Sequence, residues 1–206
     1  MIDRYKMLGK PIVLRYLGVD NTEPEIAEGL SVAADLRELV LRTIDAIAPN
    51  LDASDIDLPA LPSKGDHQPG WLRGIFSGGT LCQEAAEQVR AVLGTEVFSN
   101  LPIKGLRRLR DPARSEAHTL LDMGADEFTV GHPHPMLFSE GKMRRIVEEL
   151  CDPAVSVVMT DTVLGMGVAK NQSADLVRAI DAAARMTNGE SRRKALITSV
   201  IGTEQD

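Results

Sequence analysis

Four apolar runs, Trp71–Phe76, His118–Met123, Val155–Met159 and Ala195–Ile201, recur between stretches whose apolar residues return every three or four positions. A strand with one wet face alternates apolar and polar residues, so continuous runs of this kind belong to strands covered on both faces. The segments between them supply the cover: Cys82–Leu93, a helix from Ser139 to Leu150 with Ser139 as N-cap, and Ser173–Met186. The stretch 70–206 is thereby expected to be an α/β domain, a parallel sheet with helices on both sides.

The chemistry of such a sheet collects at the carboxyl ends of its strands, and the first of these ends reads Gly-Ile-Phe-Ser-Gly-Gly-Thr-Leu-Cys-Gln-Glu from Gly74 to Glu84. Strand, glycine turn and helix follow one another here. The first amides of a helix lack intrahelical partners and lie at the positive end of its dipole, so they can hold an anion. Ser77, Gly78, Gly79 and Thr80 are the candidate anion ligands, and Gly165 and Gly167 form a second glycine turn after the third run. A plainer role is open for the same residues, in which Gly78-Gly79 only makes a sharp corner and Thr80 only caps the helix.

Residues 1–48 read as a βα unit: a buried strand Pro11–Leu17, a polar turn, and a helix carrying Leu36, Leu39, Val40, Ile44 and Ile47 on one face. One such unit cannot close a core, so it requires a partner surface. Residues 49–69, with four prolines, read as an exposed linker. Between the first two strands of the main domain, Lys104, Arg107, Arg108, Arg110 and Arg114 form a basic segment, either a solvated loop or a steering surface for an anionic cofactor.

A net charge of −7 over 206 residues argues against nonspecific nucleic-acid binding, which needs a basic face. Cys82 and Cys151 stand in apolar helical contexts outside any Cys/His cluster, so reduced core thiols are expected, with no metal site. The amino terminus lacks the basic-then-apolar layout of a signal peptide, and a cytoplasmic location is expected.

His134 stands between Pro133 and Pro135, on a stretch too stiff for helix. It is a candidate phosphoryl or carbamoyl acceptor, acid/base group or anion ligand, or else a structural ring bonded to backbone. His132, two residues away, points to the other side of an extended segment. Asp122, Asp126, Glu127 and Asp161 lie near strand ends, as turn residues or as partners for a histidine or a magnesium-bound nucleotide.

Gly79-Thr80-Leu81 with Glu84-Ala85 resembles the Gly-Thr-Leu-x-x-Glu-Ala of the succinyl-CoA synthetase α subunit, and Ser77–Glu84 resembles still more closely the FdrA-type acyl-CoA synthetase-like proteins. Leu121-Asp122-Met123-Gly124 is similar to the Leu-Asp-Val-Gly of the synthetases, and Asp126–Met136 to an FdrA-type stretch with His132 in place of arginine. The resemblance implies a doubly wound, flavodoxin-like parallel sheet of the ligase-CoA type. It implies a component of an acyl-CoA synthetase whose helix end holds a phosphohistidine, with Glu84 as the glutamate that steadies the ring; the nearest candidate histidine of this chain, His134, stands in a motif different from that of the synthetases. CoA and ATP or ADP with magnesium are implied as cofactors, bound on other domains or subunits of an oligomeric assembly, and the isolated chain is expected to be inactive.

Gly9–Val13 is similar to a Lys-Pro-Val-Val strand in the second domain of the synthetase α subunit, but residues 18–28 lack the Gly-His-Ala-Gly phosphohistidine loop that follows there. Family domains also continue past a turn like Gly202-Thr203-Glu204, so a truncated or split member is expected. Two alternatives stay open: a carbamoyltransferase subunit, of the oxamate carbamoyltransferase of allantoin catabolism, or a noncatalytic interaction module that has lost the relay.

Overall fold

The computed structural model describes residues 9–17, 25–27, 29–51 and 69–203. Residues 52–68 of the expected linker and most of the expected turn at 18–28 lie outside them. The chain divides into two compact units, Met1–Lys64 and Gly65–Asp206.

In the first unit β1 (Ile12–Leu14) pairs in parallel with β3 (Leu30–Val32), and β2 (Glu25–Ala27) pairs with β3 in antiparallel fashion, giving the strand order β1-β3-β2. The sequence reading made this stretch a turn; the structure makes its end a tight hairpin, with Gly29 at φ +75° between the two strands. Leu30 and Val32 are buried on one side of β3 while Ser31 is not, the period of two that a half-covered strand requires. Helix α1 (Leu36–Ile47) opens on Asp35, whose carboxylate accepts from the Glu38 amide at 2.7 Å. No residue of α1 is buried, and Val40 and Ile47 remain 51% and 74% exposed.

The second unit is built on six parallel strands: β4 (Trp71–Phe76), β5 (Val97–Ser99), β6 (Arg107–Arg108), β7 (His118–Asp122), β8 (Val155–Val163) and β9 (Ala195–Ile201). Their order across the sheet is β6-β5-β7-β4-β8-β9. Ile75 of β4 stands between Leu121 of β7 and Thr160 of β8, so the strand that leads into the glycine turn is the central one. Helices α2 (Gly79–Leu93), α3 (Asp126–Thr129), α4 (Glu140–Cys151) and α5 (Gln172–Met186) complete the unit. Helix α2 ends where Gly94 takes φ +60° and donates to the Arg90 carbonyl, a left-handed cap that only glycine adopts without strain.

Alternate residues of the central strands feed two separate cores. Ile75, Leu121 and Val158 pack with Ile146 and Leu150 of α4 and Leu176 and Ala183 of α5. Phe76 and Leu120 pack with Cys82 and Ala86 of α2 and with Val97. Helices therefore cover both faces, and the fold is the doubly wound α/β sheet that the continuous apolar runs predict. Cys82 and Cys151 are both free thiols, and burial pushes the Cys82 thiol well above its ordinary range. No helix among the described residues is long and apolar enough to cross a membrane.

At the amino ends of the strands lies a polar knot. Glu149 of α4, 5% exposed, accepts from Arg73 Nε at 2.9 Å, from Arg145 Nε at 2.9 Å and from the Ser115 hydroxyl at 2.5 Å. Arg145 also donates to the carbonyls of Ala113 and Pro112. Two members of the expected basic segment make local exposed pairs instead of a shared surface: Arg107 with Glu96 at 2.7 Å and Arg114 with Asp111 at 3.8 Å.

Candidate functional site

The carboxyl ends of β4, β7 and β8 meet around the glycine turn. Helix α2 begins one residue earlier than the expected cap: Gly78, in extended conformation, is the N-cap, and Thr80 is already the second residue of the helix. Thr80 therefore does not cap. The first amide to find a helical partner is that of Cys82, which donates to the Gly78 carbonyl. The N–H groups of Gly78, Gly79, Thr80 and Leu81 have no acceptor among the described residues, the condition under which a helix end can take an external anion.

Ser77 sits directly behind that turn and faces inward. It is fully buried, and both its N–H and its hydroxyl donate to Asp161 Oδ1, at 2.8 and 3.0 Å. Lys142, 1% exposed on the first turn of α4, closes the cluster by donating to Ser77 Oγ at 2.9 Å and to the side-chain and backbone oxygens of Asp161, both at 2.5 Å. Burial lowers the Lys142 pKa from its ordinary value, and the facing Asp161 carboxylate opposes that shift. All three ammonium hydrogens have acceptors, so the residue works as a clamp between β4, β8 and α4.

On the other side of the turn Asp122 ends β7. Its Oδ1 accepts from the Gly124 amide at 2.8 Å, bending the chain into an Asx turn. Its backbone N–H and carbonyl are both bonded by the side-chain amide of Asn100, at 2.9 and 3.0 Å, which extends the ladder by one more rung between the ends of β5 and β7. Burial raises the Asp122 pKa, opposed in turn by the Gly124 amide and by His134.

His134 packs where those two carboxyl ends converge. A Cβ added to Gly124 would lie 2.5 Å from His134 Nε2, 2.8 Å from the Ser77 carbonyl oxygen and 3.1 Å from Asp122 Oδ1. A Cβ on Gly79 would lie 3.1 Å from Asp122 Oδ2, and one on Gly78 would lie 3.4 Å from the Met136 methyl. The two glycine positions and the histidine loop thus share one small space, rimmed by Asp122. His134 Nδ1 accepts from the Met136 amide at 3.2 Å, so the neutral ring carries its hydrogen on Nε2, toward that space. In this state the ring is a donor there.

The structure brings His134, Asp122, Gly78 and Gly79 together, with Thr80 beside them on the first turn of α2. Glu84 lies one turn further along α2 and is half-buried. The Gly165–Gly167 turn, at φ +116° and +83°, is tied to the same loop through Ala169, whose amide donates to the Met136 carbonyl. His132 turns to the other side of the loop, where it lines a separate cavity of about 300 Å³ with Phe128, Phe138 and Arg144. No three His, Cys, Asp or Glu side chains converge as a metal site among the described residues.

Sequence reasoning passed over Lys142 and Asn100. Lys142 lies next to the apolar stripe of its helix, where a lysine ordinarily marks the solvated face, and nothing in the order of residues pairs it with Asp161. Asn100 closes a short strand, and the exchange of two bonds with a backbone two strands later in the chain has no local signature.

A substitution reports directly on the convergence. Gly124→Ala is expected to displace the His134 ring, because the Ser77 carbonyl on the other side belongs to a rigid strand end. The cost is expected to be about 1–3 kcal/mol in urea unfolding, with loss of the His134 ring signals' native NMR shifts. Unchanged ring shifts would refute the packing.

Residues 75–206, from within the central strand onward, match the family model described as CoA-ligase. The protein YahF of Escherichia coli (strain K12), itself described as uncharacterized, is 32% identical over 212 residues that take in all of this chain. The chain spans 41% of the length of that relative. The family match covers well over half of the residues and ends on the same sheet whose strand ends form the site, so the chain belongs to the CoA-ligase family.

Proposed function

We propose that the chain is a component of an acyl-CoA synthetase, a carboxylate–CoA ligase, in which the amino end of α2 holds a phosphoryl or acyl-phosphate oxygen. The observation that carries this reading is the set of amides at Gly78, Gly79 and Thr80 without acceptors among the described residues, at a helix end packed beside Asp122 and the His134 loop. Within the family the Asp126–Met136 stretch favours the FdrA-type branch. An oxyanion in front of α2 gains the helix dipole and up to three N–H donors. His134 adds a fourth donor from Nε2. Asp122 borders the same helix end, and burial raises its pKa from the ordinary carboxylate value. Lys142 and Asp161 hold the turn in place from behind.

CoA supplies the thiol that accepts the acyl group, and ATP supplies the phosphoryl group. The residues present fit the phosphoryl oxygens of such a reaction. The nucleotide, magnesium and thiol sites belong, on this reading, to other domains or subunits of a cytoplasmic assembly, and the exposed Val40–Ile47 face of α1 is a surface for one of them. Glu84, half-buried on α2, is the proposed support for a phosphohistidine offered by such a partner.

Titration of the purified chain with succinyl phosphate, followed by 31P NMR, tests the anion site. Saturable binding is expected, weakened on the order of tenfold or more by Gly79→Val, which fills the space before Asp122. With labelled ATP and CoA the chain alone is expected to give no thioester and no acid-labile label. Binding indifferent to Gly79→Val, or thioester formation by the isolated chain, would overturn the reading.

A further inference from the structure

A cavity of about 600 Å³ lies between the amino-terminal halves of α4 and α5, and it shares no lining residue with the Ser77–Thr80 turn. Met143 and Val147 of α4 line it together with the aliphatic and aromatic side chains of Leu137 and Phe138, which stand 59% and 53% exposed. Exposed apolar side chains of this size gathered around one concavity mark a place where something apolar is received. The charges around it are unequal: Arg144, Lys170 and Arg178 face two carboxylates, Glu140 and Asp175, in a chain that is acidic as a whole.

These cations are not equally committed. Arg178 is bonded to Asp175, which also accepts from the Ser139 hydroxyl at 2.5 Å. Lys170 has no ion pair among the described residues, and Arg144, 79% exposed, has only a loose contact with Glu148 at 3.9 Å. Two cations thus stand at the cavity with little to lose by pairing with a ligand, against one lining carboxylate, Glu140, and beside an apolar wall that gains by being covered.

We propose that this cavity binds an amphipathic organic monoanion, a carboxylate carrying an apolar body of several carbons. Arg144 and Lys170 take the carboxylate, and the body lies against Leu137, Phe138, Met143 and Val147. An uncharged molecule of the same shape forgoes the first contact, and a small hydrophilic acid forgoes the second. The proposal does not rest on the reading of the glycine turn, and binding here is separable from any phosphoryl chemistry there.

Octanoate is the probe, with octan-1-ol as its uncharged counterpart, added to the full chain and followed by amide shifts in 1H–15N NMR. Octanoate is expected to bind saturably with shifts centred on Phe138, Met143 and Lys170, on the order of tenfold more tightly than octanol. The charge reversals Arg144→Glu and Lys170→Glu together remove that tenfold preference and leave octanol binding as it was. Leu137→Asp, on an exposed side chain that the core does not need, weakens both ligands, while Gly79→Val alters neither. Absence of saturable octanoate binding at millimolar concentration, shifts that map elsewhere, or a preference untouched by the charge reversals would each overturn the proposal.

Discussion

Lys142→Met is expected to lower the unfolding free energy by about 3–5 kcal/mol, the cost of stranding one member of a buried ion pair. The methionine fills nearly the same volume, so little of the loss comes from packing. What remains is the Asp161 carboxylate, buried, accepting from Ser77 but with its counter-ion gone. Adding Asp161→Asn to Lys142→Met is expected to return part of the loss, because a neutral amide oxygen still accepts from the Ser77 amide and hydroxyl while the uncompensated charge disappears. Urea unfolding of the two single variants and the double variant measures the coupling. A loss below about 1 kcal/mol for Lys142→Met, or strict additivity in the double variant, would mean that the ammonium is not paired as described.

The second large effect is expected at the other end of the sheet. Glu149→Gln keeps the shape of the side chain but removes the one carboxylate among the described residues that bonds both Arg73 and Arg145. Asp152, 3.6 Å from Arg73 and 38% exposed, is a poor substitute. Two buried guanidinium groups then share an amide, and the expected loss is again about 3–5 kcal/mol in urea or as a lower melting temperature. The two knots differ in what else they change. Loss of the Glu149 knot leaves the glycine turn untouched, so succinyl phosphate binding by the folded fraction is expected to persist, whereas loss of Lys142 removes the bond that ties Ser77 Oγ to α4 and weakens that binding. Equal effects on binding would show that the two ends of the sheet are not independent.

The apolar runs place β4, β7 and β8 because a strand buried on both faces has a pattern no exposed element shares; the run Ala195–Ile201 also marks a strand, but β9 is the sheet edge, with Ile197 and Val200 47% and 62% exposed. Helices α4 and α5 were equally legible from their stripes. The first unit is less so: the expected turn at 18–28 takes in β2, and β3 goes unassigned, because three-residue strands around a glycine carry almost no periodicity. At the site, the glycines and His134 were visible as separate features, but their meeting was not. It depends on Asp122 and Gly124, whose side-chain-to-backbone bond folds the loop back over the turn. Ser139 was read as a capping hydroxyl, yet it donates to Asp175 on α5, a contact that forms only when the two helices pack.

The strand order has a kinetic consequence. Arg73 pairs with Thr119 on one side and Val158 on the other, so the central strand is flanked only by partners made long after it. During synthesis β4 leaves the ribosome with a buried-type apolar sequence and no neighbour, and it waits for the eighty or so residues that reach β8, on the order of ten seconds at ordinary elongation rates. Pairing at such sequence separation is intrinsically slow to nucleate. A chain released before Val163 would present Trp71–Phe76 as an open template, which makes the interval before β8 emerges the period of greatest need for a chaperone.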